Sequence, residues 1–402
     1  MNNLLENKRI ILGVTGSIAC YKAADLASKL TQAGAEVDVI LTKAAAQFVS
    51  PLTFQSVTGR KAFTEDDLWG NQGHVQHIGL GQHADLLVVA PITANTMAAL
   101  AHGTANNLLT VTALAASCPL LIAPAMDGGM FTHTATQANL KTLEDRGAVV
   151  VGPEAGHLAS GLRALGRMSE PGTILGHIHQ LLGREGGLKG KKVIITAGAT
   201  QEPLDPVRYL TNRSSGKQGY ALAQAAVDQG AEVILISGQT ALTPPTGVQY
   251  VETRTAEQML TAVLKHLPGR DALLMAAAVA DFRPAEVAEK KIKKGKKAPQ
   301  LPLTRTADIL LEVAKHKDKP QAVIGFAAES EDLIANAEKK LKAKKLEMIV
   351  ANDISTSDAG FGVDTNRVTL LFPDGRKEEL PFSTKADVAA AVIEHLAGIL
   401  RK

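Results

Sequence analysis

The sequence is short of aromatic residues, of cysteine and of unbalanced charge, and each shortage narrows the field. Aromatics make up 3% of its 402 residues. Cores built from such a chain must be Val, Ile, Leu and Ala cores, the kind found in parallel sheets buried on both faces. There are two cysteines, Cys20 and Cys118, and no CxxC pair. That leaves no thiolate metal site and fits a reducing compartment. A net charge of +3 is too small to argue for nucleic acid. No uninterrupted apolar run reaches membrane-spanning length, and the opening residues, MNNLLENKRI, lack the apolar core of a signal peptide. The expectation is a cytoplasmic protein with no membrane and no nucleic-acid partner.

What remains is ordinary for a soluble globular protein: 45% hydrophobic and 21% charged residues. The length favours two domains. One stretch organises the chain, from Val193 to Ser237. A β-branched run (Val193, Ile194, Ile195) breaks into the small-residue loop Thr196 to Thr200. A long polar loop, a helix-like segment and a second apolar run, Val233 to Ile236, follow. That is strand, loop, helix, strand, the plan of a nucleotide-binding half-domain. The same plan starts the protein: Arg9 to Thr15, then Gly16-Ser17, a helix, and the strand Glu36 to Leu41. The two helix exits nearly match, QAGAEVDVIL and DQGAEVILIS.

In the first half, a helix from about Ile18 would aim free N–H groups at an anion in the Gly13 to Ser17 loop. The spacing is not GxGxxG, and the second strand ends Leu41-Thr42-Lys43 with no acid for a ribose diol. Both features argue for a single phosphate, such as that of a mononucleotide, over NAD; a plain tight turn is the bland reading. Asp85 to Ala90 reads as a buried strand that Pro91 ends, with Thr93, Ala94 and Asn95 at its carboxyl end. His74, His77 and His83 precede it and lack a fourth zinc ligand at helical spacing. They read as core or surface histidines, or as a general acid/base. Leu120 to Ala123 is a second strand ending in Ala-Pro, so two strand ends suggest two walls of one pocket. Asp127 after it is a loop cap or a site residue. GPEAGHLASGLRALGRMSEP reads as a glycine-rich loop, either plain surface or a flap over the pocket. Gly183 to Lys192 reads as a linker.

In the second half, Asn212, Arg213 and Ser215 cluster ahead of a helix starting near Lys217. Lys217 is followed by Gln218, which argues against a Walker site. Leu273 to Val279 reads as a strand, and Asp281 beyond it is placed to bind Mg²⁺ carried by a triphosphate. EKKIKKGKKAP is a solvated surface, a mobile loop that closes on phosphates, or a weak nucleic-acid patch. Ile324 to Glu329 closes another strand. Lys340 and Lys344 share a helix face. Met348 to Ala351 is a strand ending in Asn352-Asp353. Arg367 to Phe372 and Lys377 to Leu380 flank a hairpin turn. The last helix starts from an N-cap at Ser383 and buries Val388, Val392, Leu396 and Leu400.

The ordered motifs TGSIACYK, HIGLGQHADLLVVAPITAN, PAMDGGM and LASGLRALGRMSEP resemble the flavin-containing cysteine decarboxylases. ITAGATQEPLDPVRYLTNRSSGKQG, AAAVADFRP, KKIKK, GFAAE and KLKAKKLEMIVAND resemble the ligase to which that decarboxylase is fused in bacterial coenzyme A synthesis. The resemblance covers essentially the whole chain. It implies an α/β fold of two Rossmann-like domains: an FMN-dependent phosphopantothenoylcysteine decarboxylase over 1–182, a linker over 183–192, and a phosphopantothenate–cysteine ligase over 193–402. It implies FMN contacts at Gly16, Ser17, Thr42, Thr93 and Asn95, and a catalytic histidine at His77. Two positions depart from the family pattern. Asp127 stands where it has asparagine, and Ser160 where the flap carries a proton-donating cysteine. The family oxidises the substrate thiol on the flavin; the thioaldehyde lets CO₂ leave, and the enethiol must then be protonated. A positioned general acid is worth about 10²–10⁴ in rate. Asp127, protonated in the pocket, or a water held by Ser160, is expected to replace the thiol.

In the ligase half the resemblance implies that CTP activates 4'-phosphopantothenate as an acyl-cytidylate, which cysteine's amine then attacks. Asn212 would hold the acyl-cytidylate and Lys291 would stabilise charge in transfer. Met275, Ala276, Ala277, Asp281, Ala307, Asp308, Ile309, Leu310, Phe326, Lys340 and Lys344 complete the nucleotide site. Glu347 stands where the family often has Asp. A trimer-based assembly through the first half and dimer contacts through the second are implied. Two other readings stay open: a ligase whose first half is only an FMN-binding scaffold, and a nucleic-acid-binding flavoprotein.

Overall fold

In the computed structural model, which describes residues 4–69, 76–159, 161–294, 300–329, 331–353 and 362–401, the chain divides between Leu182 and Gly183 into two compact units. In the first, β1 (Arg9–Val14), β2 (Glu36–Leu41), β3 (Ala62–Phe63), β4 (Leu86–Ile92), β5 (Leu120–Pro124) and β6 (Val149–Val150) form a parallel sheet. Its order is β3-β2-β1-β4-β5-β6. Strand order therefore reverses between β1 and β4, the switch point where open α/β sheets bind ligands.

Helices cover both faces. α1 (Cys20–Gln32), α2 (Pro51–Thr58) and α8 (Pro171–Gly183) pack on Ile10, Leu12 and Val14 through Leu26, Phe54 and Ile174. On the other face, α4 (Ala94–His102), α5 (Leu108–Ala115) and α7 (Thr134–Asp145) bring Met97, Leu109 and Leu143 against Ile11 and Val89. The alternation of Ile10, Ile11 and Leu12 between the two cores is the period-two geometry of a strand. α3 (Gln76–His83) and the short α6 (Gly128–Thr132) lead into β4 and out of β5. The segment expected to be an irregular loop is instead an antiparallel ribbon, β7 (Glu154–His157) with β8 (Arg163–Arg167). Pro91 does not end its strand: β4 runs to Ile92, with a register irregularity against β5 between Val89 and Ile92. Proline is tolerated at such a bulge because no ladder donor is required there.

The second unit repeats the plan. β9 (Lys192–Ala197), β12 (Glu232–Ser237), β13 (Gln249–Glu252), β14 (Ala272–Met275), β17 (Ala322–Glu329) and β18 (Met348–Asp353) run parallel in the order β13-β12-β9-β14-β17-β18. The antiparallel hairpin β20 (Val368–Leu371) and β21 (Lys377–Glu379) extends the edge at β18. Three short pairs lie outside this sheet: β10 (Gln201–Pro203) with β11 (Tyr209–Thr211), β15 (Phe282–Pro284) with β16 (Leu303–Arg305), and β19 (Thr365–Asn366) with β22 (Ser383–Thr384). α9 (Lys217–Asp228) and α13 (Lys385–Leu400) cover one face. α10 (Ala256–His266), α11 (Ile309–Lys315) and α12 (Leu333–Ala343) cover the other.

Three boundaries differ from expectation, each for a local reason. β14 stops at Met275, not Val279, because the chain peels away and bonds to the end of β9 and the loop after it. Ala277 N–H donates to Thr196 Oγ1 (3.1 Å), Ala278 N–H to the Gly198 carbonyl (2.8 Å) and Ala280 N–H to Thr200 Oγ1 (3.0 Å). The cap of α13 is Thr384, not Ser383; Thr384 and Asp387 form a reciprocal capping box. Between α8 and β9 the glycine-rich stretch is docked: Leu188 is fully buried and its N–H donates to the Gln229 carbonyl (2.8 Å). No helix among the described residues is long and apolar enough to cross a membrane.

Candidate active sites

In the first unit the expected cofactor residues lie on loops at the carboxyl ends of adjacent strands. Gly16 and Ser17 follow β1, Thr42 follows β2, and Thr93 and Asn95 follow β4. The loops are laced together. Thr15 Oγ1 donates to the Pro91 carbonyl and accepts from Thr93 N–H, both at 2.9 Å. Thr42 Oγ1 accepts from Ala45 N–H (3.2 Å), and Thr93 caps α4 by accepting from Thr96 N–H (3.4 Å). A Cβ on Gly16 would sit 2.5 Å from the Ala44 methyl, so only glycine lets the β1 and β2 loops approach this closely. Ala19, at the start of α1, supplies no side-chain cap. Cys20 N–H and Lys22 N–H already donate to the Ser17 and Ala19 carbonyls, each at 3.0 Å, so the helix end is only partly open to an outside acceptor such as a phosphate. His77, in α3, carries a buried ring nitrogen, Nδ1, with no hydrogen-bond partner among the described residues. A buried orphan of this kind calls for a guest. These features fit a flavin mononucleotide with its substrate.

Ser17 and Asp127 share a cavity of about 240 Å³ with Tyr21, Lys22, His157 and Arg167; Thr42, His77, Thr93 and Asn95 lie outside its lining. Asp127 is the N-cap of α6, its Oδ1 accepting from Gly129 N–H at 2.9 Å. The ribbon closes the cavity over it. Met126 N–H donates to the Gly166 carbonyl (3.0 Å), and Gly166 has φ +150° with Met126 O only 2.2 Å from where a Cβ would be. Lys22, 4% exposed, donates to the Met168 carbonyl (2.8 Å) and to Glu170 (3.0 Å). Tyr21, Lys22, His157 and Arg167 were not legible as pocket residues, since only the ribbon's fold-back brings them together. Ser160 and His74 lie outside the described residues.

In the second unit a cavity of about 320 Å³ gathers Asn212, Met275, Ala276, Ala277, Asp281, Ala307, Asp308, Ile309, Leu310, Phe326, Lys340 and Lys344. These are all the expected ligase residues except Lys291. The Asn212 amide donates to the carbonyls of Ala278 (3.2 Å) and Val279 (3.3 Å), fixing it to the peeled end of β14. Asp308 caps α11 through Leu311 N–H (3.2 Å) and pairs with Lys344 (2.8 Å). Asp281 is an exposed carboxylate of the lining. One carboxylate suits Mg²⁺, which is commonly held by one or two carboxylates plus substrate phosphates and water. Lys291 is exposed and off the lining, and 295–299 of its basic run lie outside the described residues. Its neighbour Ile292 is held by Asp205 and Arg208. The Asp205 carboxylate is kept far below the ordinary range by Arg208, with backbone N–H donors of Val207, Ile292 and Arg208 adding to it.

The cavity also contains Lys217, Gln218, Asn352, Asn366 and Lys385, none of which was expected. Ser-Gly-Lys at 215–217 is a visible signal, although Gln218 breaks the Walker pattern. Lone asparagines and the first residue of a core helix carried none. Lys217 pairs with Asp364 (2.6 Å), and buried Lys385 donates to the Val363 carbonyl. Burial pushes the Lys385 ammonium pKa down and Lys217 adds to this, while Asp364 opposes it.

Residues 1–183 match the Flavoprotein family, and residues 188–400 match the DNA/pantothenate metabolism flavoprotein C-terminal domain. The chain is 45% identical over 402 residues to the coenzyme A biosynthesis bifunctional protein CoaBC of Bacillus subtilis, covering 99% of both chains. It is 43% identical to the CoaBC of Mycobacterium tuberculosis over 408 residues, covering 98% of this chain and 97% of that one. Among solved structures, the C-terminal domain of a CoaBC is 44% identical, with a TM-score of 0.47, covering 54% of this chain and 98% of that one.

Proposed function

The chain belongs to the family of coenzyme A biosynthesis bifunctional proteins, with a flavoprotein decarboxylase half and a ligase half, and from that premise we propose how its residues divide the work. The second unit joins 4'-phosphopantothenate to cysteine at the expense of CTP. The first decarboxylates the product to 4'-phosphopantetheine. The observation that carries the ligase reading is the single cavity in which the five separated stretches expected for the ligase, around Asn212, Met275 to Asp281, Ala307 to Leu310, Phe326 and Lys340 to Lys344, meet.

Forming an acyl phosphate anhydride needs alignment and charge neutralisation more than covalent help. Lys340 and Lys344 neutralise phosphate charge. The backbone of Met275 to Ala277 and the 307–310 turn seat the nucleoside, with Phe326 as an apolar wall. Asn212 orients the acyl group, and Asp281 takes the Mg²⁺ that travels with the triphosphate. Lys291, carried on the loop that Asp205 grips, stabilises charge as the acyl group transfers.

In the first unit the β1, β2 and β4 loops hold FMN, which supplies the oxidation and return of the hydride when bound. His77, whose ring Nδ1 has no partner among the described residues, is the residue we assign to hold a substrate proton. Asp127 supplies the proton otherwise given by a thiol; a carboxylic acid protonated at Oδ2 still caps α6 through Oδ1. Ser160 is its alternative through a held water. We further infer a cytoplasmic enzyme that assembles as trimers through the first unit and dimers through the second. Pyrophosphate release in the presence of 4'-phosphopantothenate, with CTP and ATP compared, tests the ligase assignment. Strong release with CTP supports it, and none with either nucleotide overturns it.

A further inference from the structure

The wall of the second-unit cavity that runs from Ala276 to Asp281 lies beyond the end of its strand, and its course is set largely by hydroxyl groups. Thr196 Oγ1 accepts the Ala277 N–H (3.1 Å), the Gly198 carbonyl accepts the Ala278 N–H (2.8 Å), and Thr200 Oγ1 accepts the Ala280 N–H (3.0 Å). Thr306 completes the hold. Its hydroxyl donates to the Ala280 carbonyl (2.5 Å), and its N–H donates to the Asp281 carbonyl (3.0 Å).

Thr200 is the hub of this arrangement. It is fully buried and is not part of the cavity lining. Its N–H donates to the Ala278 carbonyl (3.3 Å), its hydroxyl accepts from Ala280, and its carbonyl accepts from Thr211 Oγ1 (2.8 Å). Thr211 directly precedes Asn212, whose amide donates to the Ala278 and Val279 carbonyls. Thr200 therefore joins the stretch that carries Asp281 to the stretch that carries Asn212. A valine of the same shape would leave the Ala280 N–H without its acceptor, and a buried donor left so is costly. The first unit uses a similar device. Thr15, 1% exposed, follows β1, and its hydroxyl ties that loop to Pro91 and Thr93 at the end of β4. In each unit the tie spans the two strands between which the sheet order reverses, β1 and β4 in the first, β9 and β14 in the second.

We propose that Thr200 is a positioning residue of the ligase, fixing the acyl end of the site against its nucleotide end. The assignment rests on the ligase reading of the cavity. In the first half-reaction a carboxylate oxygen of 4'-phosphopantothenate attacks the α-phosphorus of CTP, and the bond from that phosphorus to pyrophosphate breaks. Asn212 holds the acyl side and the 276–281 stretch the nucleotide side, so Thr200 controls the register between the reacting atoms. A misplacement of about 1 Å can cost about 10²-fold in rate. Thr200 lies off the lining and touches neither reactant. Its loss is felt as misalignment, in kcat, and not as weaker binding of the nucleotide.

The test uses the full chain and reads CTP-dependent pyrophosphate release in the presence of 4'-phosphopantothenate. Thr200→Val should lower kcat about 10- to 100-fold, with the KM for CTP changed less than about threefold. Thr200→Ser keeps the hydroxyl and should stay within about threefold of the unaltered enzyme. A folded Thr200→Val with unaltered kcat, a loss confined to the KM for CTP, or an equal loss in Thr200→Ser would overturn the proposal. Thr211→Val cuts only the link from the Asn212 side, at an exposed position on β11, and should lower kcat about 3- to 10-fold. It decides the matter if Thr200→Val does not fold, an unaltered kcat there overturning the proposal. Absence of pyrophosphate release from the unaltered enzyme would instead overturn the ligase reading on which it rests.

Discussion

Asp205 grips the backbone of Ile292: its Oδ2 accepts the Ile292 N–H at 3.1 Å, while Arg208, paired with the same carboxylate, donates to the Ile292 carbonyl at 2.7 Å. Lys291 is the next residue back. An aspartate whose side chain is wholly buried thus clamps the base of the basic loop. Asp205→Asn should lower ligase kcat about 10-fold or more through misplacement of Lys291, the cost of small losses of alignment. It should leave the KM for cysteine nearly unchanged. An unaltered kcat would separate the clamp from the chemistry.

The same carboxylate predicts acid sensitivity. Its folded pKa is depressed, so its contribution to stability is fully present above the unfolded value of about 4. The contribution is lost as pH falls through the folded value. Melting curves of the unaltered chain and of Asp205→Asn should therefore differ by a constant amount from pH 7 to about 5 and converge in stronger acid. A gap that widens with acid would contradict the sign.

Asp127→Asn separates two roles of one residue. Asparagine caps a helix about as well as aspartate, so α6 should persist and the melting temperature should hold. Decarboxylation should fall about 10²–10⁴-fold if Asp127 is the proton donor. Unchanged turnover would end that assignment and leave the Ser160-held water.

His77→Gln should keep the flavin and the ligase reaction. It should slow decarboxylation about 10²–10⁴-fold, so that phosphopantothenoylcysteine accumulates. Mass spectrometry of the reaction mixture reads this directly. Rapid formation of the decarboxylated product would remove His77 from the chemistry.

Gly16→Ala places a methyl against that of Ala44, a contact no rotamer can relieve. Overpacking of this kind costs about 1–3 kcal/mol. Flavin absorbance per protein should drop after dialysis while the second unit's pyrophosphate release persists. Full retention of flavin would show that the β1 loop does not hold it.

The sheets were legible because strands buried on both faces read as continuous apolar runs, as Val193 to Ile195 and Leu86 to Ala90 do. Pro91 misled because the bulge that accommodates it depends on β5, which the local sequence does not reveal. Asp127 could be read as a cap or a site residue, and it is a cap that also lines a cavity. The Asn352, Asn366 and Lys385 cluster was invisible. Its members carry no motif, and they meet only because β20 pairs antiparallel with β18, Asn352 opposite Val368, and α13 packs beside α9.

The most direct test of a two-site enzyme is the mass of the product formed when the purified chain, loaded with FMN, meets 4'-phosphopantothenate, cysteine, CTP and Mg²⁺. The account predicts 4'-phosphopantetheine. Phosphopantothenoylcysteine as the sole end product would contradict it, leaving a working ligase and a first unit without chemistry.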